Sequence, residues 1–365
     1  MSARPRRSRC RPCEKGRSLS LPSKQQIPVV VLAGFLGSGK TTVLNHLLRH
    51  SGGTRIGAIV NDFGAIEIDA MTIAGQVDST VSLGNGCLCC AVDASELDVF
   101  LERLTRPTTR LDVIVIEASG LAEPQELVRM ILASENPRIV YGGLVEVVDA
   151  AEFDATRLRH PELDRHLAIA DLVVLNKADR VGEAELGRTR DTLAGLCEGT
   201  AVIPASYGRV APELFFDCRP KAETVGQLSF EDLCADDGDD HRDHLHTEYE
   251  SLSFTAEEPM DPRRLMGFLD GRPVGLYRIK GHVHFGAADP HNRYAVHAVG
   301  RFLRFYPQPW GRAEERLSRL VFIGSGIDTG RLRQELADCR ETTPQDAADE
   351  HGMWGVLRYV RDQEA

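Results

Sequence analysis

The sequence predicts an α/β domain with a mainly parallel sheet, followed by a smaller α+β C-terminal domain. Short β-branched runs alternate with segments of helical spacing through the N-terminal half. That rhythm lapses from about residue 205 to 247, and strand-like segments resume beyond it with two helical patterns beside them. A strand buried on both faces reads as a continuous apolar run, so the first half implies parallel strands covered by helices on either side.

Taken in order, residues 1–26 carry Arg4, Arg6, Arg7, Arg9, Arg11, Lys15, Arg17 and Lys24 against the single acid Glu14, and read as a flexible basic tail. This acid-poor start has the composition of a transit peptide but too few apolar residues for an amphipathic face. Residues 28–33 form a β-branched run that ends at Gly34, and residues 41–49 then show helical spacing through Val43, Leu44, Leu47 and Leu48. Further buried strands are expected at 56–60, 113–116, 144–148, 172–175 and 201–203. The first domain is placed at 27–225 and a His- and Asp-rich linker at 226–248. The second domain, 249–340, carries strands at 249–254, 276–280, 294–299, 302–305 and 320–323 and helices at 261–269 and 329–337. The extension 341–365 is uninformative.

The chain has 365 residues, 42% of them hydrophobic and 27% charged, with a formal net charge of -11. That length exceeds the usual single domain, and the acidic balance argues against a nucleic-acid wrapper or a coat on an anionic membrane. There is no apolar run of about 20 residues, so neither secretion nor a membrane span is expected and the cytoplasm is the default compartment.

Residues 34–41 satisfy G-x-x-x-x-G-K-[ST] between an expected strand and an expected helix, the context a phosphate cradle requires. Gly34, Gly37, Ser38 and Gly39 let backbone N–H groups turn inward onto phosphate, Lys40 reaches the β and γ oxygens, Thr41 offers a hydroxyl to magnesium, and Thr42 follows. Asn176-Lys177-Ala178-Asp179 stands at the end of another apolar run. Asp179 can accept two hydrogen bonds from the guanine edge, whereas adenine would present an acceptor to it, so GTP is the expected nucleotide. Between these motifs, Glu117 ends an apolar strand with Gly120 three residues on. A carboxylate there orients magnesium or its water, and the glycine N–H senses a γ-phosphate, so Lys40, Glu117 and Gly120 are the candidate catalytic groups.

Cys87, Cys89 and Cys90 crowd three thiols into a turn relaxed by Gly84 and Gly86. Thiolates are soft donors that favour zinc, copper(I) or iron–sulfur clusters, and three sulfurs from one turn leave a coordination position open. A redox thiol pair and cysteines buried as small hydrophobes are the competing readings. Cys10 and Cys13 form an isolated pair in the tail. Cys197, Cys218, Cys234 and Cys339 are scattered. His241, His244 and His246 among aspartates form either a loose metal-collecting surface or a solvated linker, and His282 and His284 alternate along one expected strand.

Gly34 to Thr42, Asn61-Asp62-Phe63-Gly64, Gly86-Cys87-Leu88-Cys89-Cys90, Glu117-Ala118-Ser119-Gly120-Leu121-Ala122-Glu123-Pro124 and Asn176-Lys177-Ala178-Asp179 together resemble the ordered motifs of the CobW-type metallochaperone GTPases. The resemblance extends to the histidine-bearing linker and to segments 276–281 and 319–324. It implies a P-loop GTPase domain that binds GTP and magnesium, slow hydrolysis, and delivery of zinc, or alternatively cobalt, to a client metalloprotein. It gives Cys87, Cys89 and Cys90 the metal-ligand role. Where the family often reads Asn-Glu-Phe-Gly-Glu, Asp62 and Ala65 stand here, leaving Asp62 and Glu67 as auxiliary ligand candidates. The client-docking motif of eukaryotic zinc-delivering relatives is missing from the basic tail. A regulatory or stress-linked GTPase with a structural or sensed metal, and a redox module, are the alternatives. The order of the motifs suggests that nucleotide and magnesium order segments 61–90 and 117–124 together.

Overall fold

The computed structural model describes residues 26–60, 80–82, 94–120, 122–217, 249–311, 314–341 and 352–360. Seven strands form the first sheet, β1 (Ile27–Ala33), β2 (Ile56–Val60), β3 (Thr80–Ser82), β4 (Val113–Glu117), β5 (Ile139–Asp149), β6 (Leu172–Asn176) and β7 (Ala201–Pro204). Their order is β3-β2-β4-β1-β5-β6-β7, with every neighbour parallel. The expected strands are all present, and β3 is an addition that no apolar run announced. Helices α1 (Lys40–Arg49), α2 (Ala94–Leu104), α3 (Pro124–Ala133), α4 (Phe153–Arg159), α5 (Leu163–Ile169) and α6 (Glu183–Leu196) cover the sheet.

Both faces of β1 are buried because its neighbours contribute to separate cores. Val30 and Leu32 pack with Val43, Leu44 and Leu47 of α1, whereas Val29 and Val31 pack with Leu97 and Leu101 of α2 and Leu127 of α3. Each side chain of that size removed from water contributes about 1.5–3 kcal/mol, which explains why the run tolerates no polar residue.

The second domain is an antiparallel sheet of β8 (Glu250–Ala256), β9 (Leu276–Val283), β10 (Asn292–Val299), β11 (Phe302–Pro309) and β12 (Ser318–Gly324), ordered β11-β10-β9-β12-β8. Its strands alternate as a one-sided core demands: Leu252, Phe254 and Ala256 are buried while Ser251, Ser253 and Thr255 are exposed. Helices α7 (Pro262–Asp270) and α8 (Thr329–Asp338) close that core, each capped by an aspartate, Asp261 or Asp328, that accepts from a first-turn N–H. The extension is less empty than its sequence suggested. Met353 and Val356, flanking and within the short α9 (Trp354–Leu357), enter the same core, and Val360 bridges to Phe305.

The other face of this sheet rests on β5. Between Val29 and Val30 the β1–β5 register slips by one residue, leaving Gly142 as a bulge, and Gly143 follows at φ 112°. A Cβ on Gly143 would come within 2.6 Å of Val299 Cγ1. His297 Nε2 pairs with the Tyr141 carbonyl at 2.8 Å, and Asp171 accepts from the Tyr141 hydroxyl at 2.5 Å and the Leu144 N–H at 2.9 Å.

Candidate nucleotide site

The functional side chains converge at the carboxyl ends of β1, β4, β5 and β6, where parallel strands hand over to helices. Gly34, Gly37 and Gly39 take φ values of 145°, 78° and 101°, which turn the loop's backbone inward. Ser38 is buried, and among the described residues its Oγ has no hydrogen-bond partner. Lys40 opens α1 and is 8% exposed, with Nζ donating to the carbonyls of Gly34 at 2.8 Å and Phe35 at 3.2 Å. Desolvation lowers its pKa, opposed by the charges of Glu117 and Glu146. A phosphate offers such an ammonium oxygen atoms in place of two carbonyls, and it offers Ser38 Oγ the partner it lacks.

Thr41 Oγ1 donates to Glu117 Oε1 at 2.7 Å, so two residues far apart in sequence meet where a magnesium ion would share them. Gly120 lies against the loop: a Cβ there would stand 2.8 Å from the Leu36 backbone nitrogen. Only a residue without a side chain brings its backbone this close to the phosphate loop. Thr42 is exposed beside Gly208.

The base-recognition turn is bolted to the loop. Asn176, 2% exposed, donates through Nδ2 to the Ser38 carbonyl and accepts at Oδ1 from the Gly208 N–H, both at 2.9 Å. Lys177, in the left-handed region at φ 59°, donates to the Gly37 carbonyl at 2.7 Å and to Asp149 Oδ2 at 2.6 Å. Asp179 stands exposed in the short turn Ala178–Arg180. A cavity of about 360 Å³ is lined by Phe35, Ser38, Asp149, His160, Lys177 and Arg180.

Sequence reasoning overlooked Asp149, whose signal, an acid ending an apolar strand, is the one that revealed Glu117. It also overlooked the turn from Ala205 to Gly208, where Gly208 holds Asn176 and Tyr207 sits at φ 56° with its ring exposed.

Cys87, Cys89, Cys90, Asp62, Glu67 and the histidines of the linker lie outside the described residues. Among the described residues, no three His, Cys, Asp or Glu side chains gather as a metal site. His284 falls just past β9, buried edge-on against Trp310, so it does not share a strand face with His282. Cys197 and Cys339 are buried, each donating to the carbonyl four residues back. No helix among the described residues is long and apolar enough to cross a membrane.

A phosphate loop clamped to an Asn-Lys-x-Asp turn, with a threonine and a strand-end carboxylate joined at the magnesium position, defines a P-loop GTPase. Residues 28–204 match the CobW/HypB/UreG nucleotide-binding domain and residues 249–340 the cobalamin synthesis protein CobW C-terminal domain, and the chain belongs to this CobW family. It is 30% identical to the zinc chaperone CobW of a Sinorhizobium species over 82% of this chain and 93% of the relative. It is 33% identical to the zinc chaperone CobW of Pseudomonas aeruginosa over 92% and 98%. The zinc chaperone YjiA of Escherichia coli is 28% identical over 86% and 99%.

Proposed function

We propose that this chain is a GTP-hydrolysing metallochaperone that binds a transition metal, zinc in the first instance, through Cys87, Cys89 and Cys90 and passes it to a client metalloprotein. The observation that carries the reading is the Thr41–Glu117 contact. It joins the phosphate loop to β4, and the cysteine segment lies between those two in sequence. The zinc-chaperone relatives, which this chain matches over most of their length, favour zinc over cobalt as cargo.

In this reading Gly34, Gly37, Ser38, Gly39, Lys40, Thr41 and Thr42 hold the triphosphate. Asn176 and Lys177 fix the base-recognition turn, and Asp179 reads guanine. Thr41, with Glu117 through a bound water, would hold magnesium, which would supply charge neutralisation to the phosphates. Gly120 senses the γ-phosphate through its N–H, and loss of that contact on hydrolysis loosens the segments that carry Asp62, Glu67 and the thiols.

The test is zinc affinity and stoichiometry of anaerobically purified protein with a non-hydrolysable GTP analogue, with GDP and without nucleotide. The expected order is tightest with the GTP analogue. Equal affinity in all three states would overturn the coupling. Replacing the three cysteines with serine is expected to abolish zinc binding while GTP hydrolysis and folding persist; unfolding instead would make the metal structural, and a reversible disulfide with no stoichiometric metal would make the cluster a redox device.

A further inference from the structure

Glu146 lies in the middle of the buried run of β5, paired laterally with Ala33 on β1 and Val173 on β6. It is 0% exposed, and among the described residues neither carboxylate oxygen has a hydrogen-bond partner. A charge so placed is expensive, and a protein keeps one only where something offsets it. The residue after it abuts the phosphate loop: the Val147 carbonyl oxygen lies 2.3 Å from where a Cβ on Gly34 would be. The acid is therefore set beneath the cradle that receives the triphosphate.

The elements packed on β5 carry few charges that reach it. Among the described residues, Glu126 and Arg129 on α3, Asp164, Arg165 and His166 on α5, and Asp149 at the end of β5 itself do not act on Glu146; Lys40 does, and Glu117 on β4 acts in turn on Lys40. Desolvation pushes the Glu146 carboxyl up to about 8, with Lys40 pulling the other way. Lys40 meanwhile spends two of its donors on the loop's own carbonyls. An ionised Glu146 attracts the Lys40 ammonium electrostatically and repels an incoming polyphosphate.

We propose that Glu146 is a positioning residue for the phosphate-binding lysine: protonated near neutral pH it leaves Lys40 to the phosphates, whereas ionised in alkaline medium it competes with them for the ammonium, and nucleotide binding there takes a proton from solvent onto its carboxylate. The inference rests on the reading of Lys40 as a GTP-phosphate ligand. It makes affinity for GTP fall as the medium becomes alkaline.

The experiment compares GTP affinity of the full chain and of E146Q from pH 6 to pH 9. The ratio of the two constants cancels the nucleotide's own ionisations. One carboxyl titrating near pH 8 weakens wild type relative to E146Q by roughly tenfold between pH 7 and pH 9. Calorimetry of GTP binding to the unsubstituted chain at pH 8.5, in buffers of different ionisation enthalpy, needs no variant and is expected to show most of a proton taken up. A constant affinity ratio, or binding with no proton uptake, overturns the role of Glu146 while leaving the GTPase reading intact. Failure of the unsubstituted chain to bind GTP at any pH overturns that reading itself.

Discussion

The two sheets solve opposite problems. In the first, strands are apolar on both faces, and nearly every polar group of consequence waits at their carboxyl ends: Lys40 after β1, Glu117 on β4, Asp149 on β5 and Asn176 on β6. In the second, strands alternate, one face builds a core with α7 and α8, and the other lies against β5. Chemistry collects where parallel strands end together and helices begin, whereas the antiparallel sheet supplies a wall. β5 belongs to both, docking the wall at Gly142 and Gly143 and abutting the phosphate loop at Val147.

The division of labour breaks most visibly at Lys40. K40A is expected to weaken GTP binding more than about 100-fold, since a charge-assisted contact is worth roughly 1.5–3 kcal/mol and phosphate offers more than one. The urea-unfolding midpoint should move little, and a large shift would mean that Lys40 serves the fold. Gly143 tests the wall. G143V forces a Cβ into Val299 at a positive φ, and about 2–4 kcal/mol of stability should be lost, with the single unfolding transition splitting into two. One unsplit transition would show that the sheets do not depend on this contact for their coupling.

N176A removes the partner of two backbone groups, the Ser38 carbonyl and the Gly208 N–H. A loss of about 2 kcal/mol, seen as a roughly 30-fold rise in KM for GTP, is expected. The two domains also differ in pH response. Burial depresses His297 at the junction to about 4, so its contribution is complete above pH 6.5 and is lost as pH falls towards 4; H297N should flatten the drop in thermal midpoint between pH 6.5 and pH 4. Glu146 is raised rather than lowered, so the folded state loses stability as pH rises from about 4.5 to about 8, and E146Q should remove that decline. The smallest effect belongs to Lys280, which with Arg278 pairs with the half-exposed Asp217. K280A should cost under about 1 kcal/mol in denaturant titration.

Much of the first domain was legible because its signals are local. A β-branched run ending in glycine, followed by lysine and helical spacing, specifies strand, loop and helix from neighbouring residues alone. The second domain's strands were legible by alternation, though each extends beyond its most apolar stretch, as β11 does to Pro309. What escaped was non-local. Short β3 has three residues and depends on pairing with β2, and the core role of Met353 and Val356 arises only when α9 meets the second sheet.

By itself the sequence determined the phosphate loop, the Asn-Lys-x-Asp turn, the acid on β4 and the order of the two domains, because each rests on residue types at fixed short spacing. Tertiary structure alone decided that Asn176 clamps the loop, that Asp149 holds Lys177, and that Glu146 is buried unpartnered in the strand whose Val147 carbonyl abuts Gly34. The run from Leu144 to Val148 reads as an ordinary buried strand with one misplaced acid. Distances between strand ends are set by how helices pack on both faces of the sheet, and no spacing along the chain encodes them.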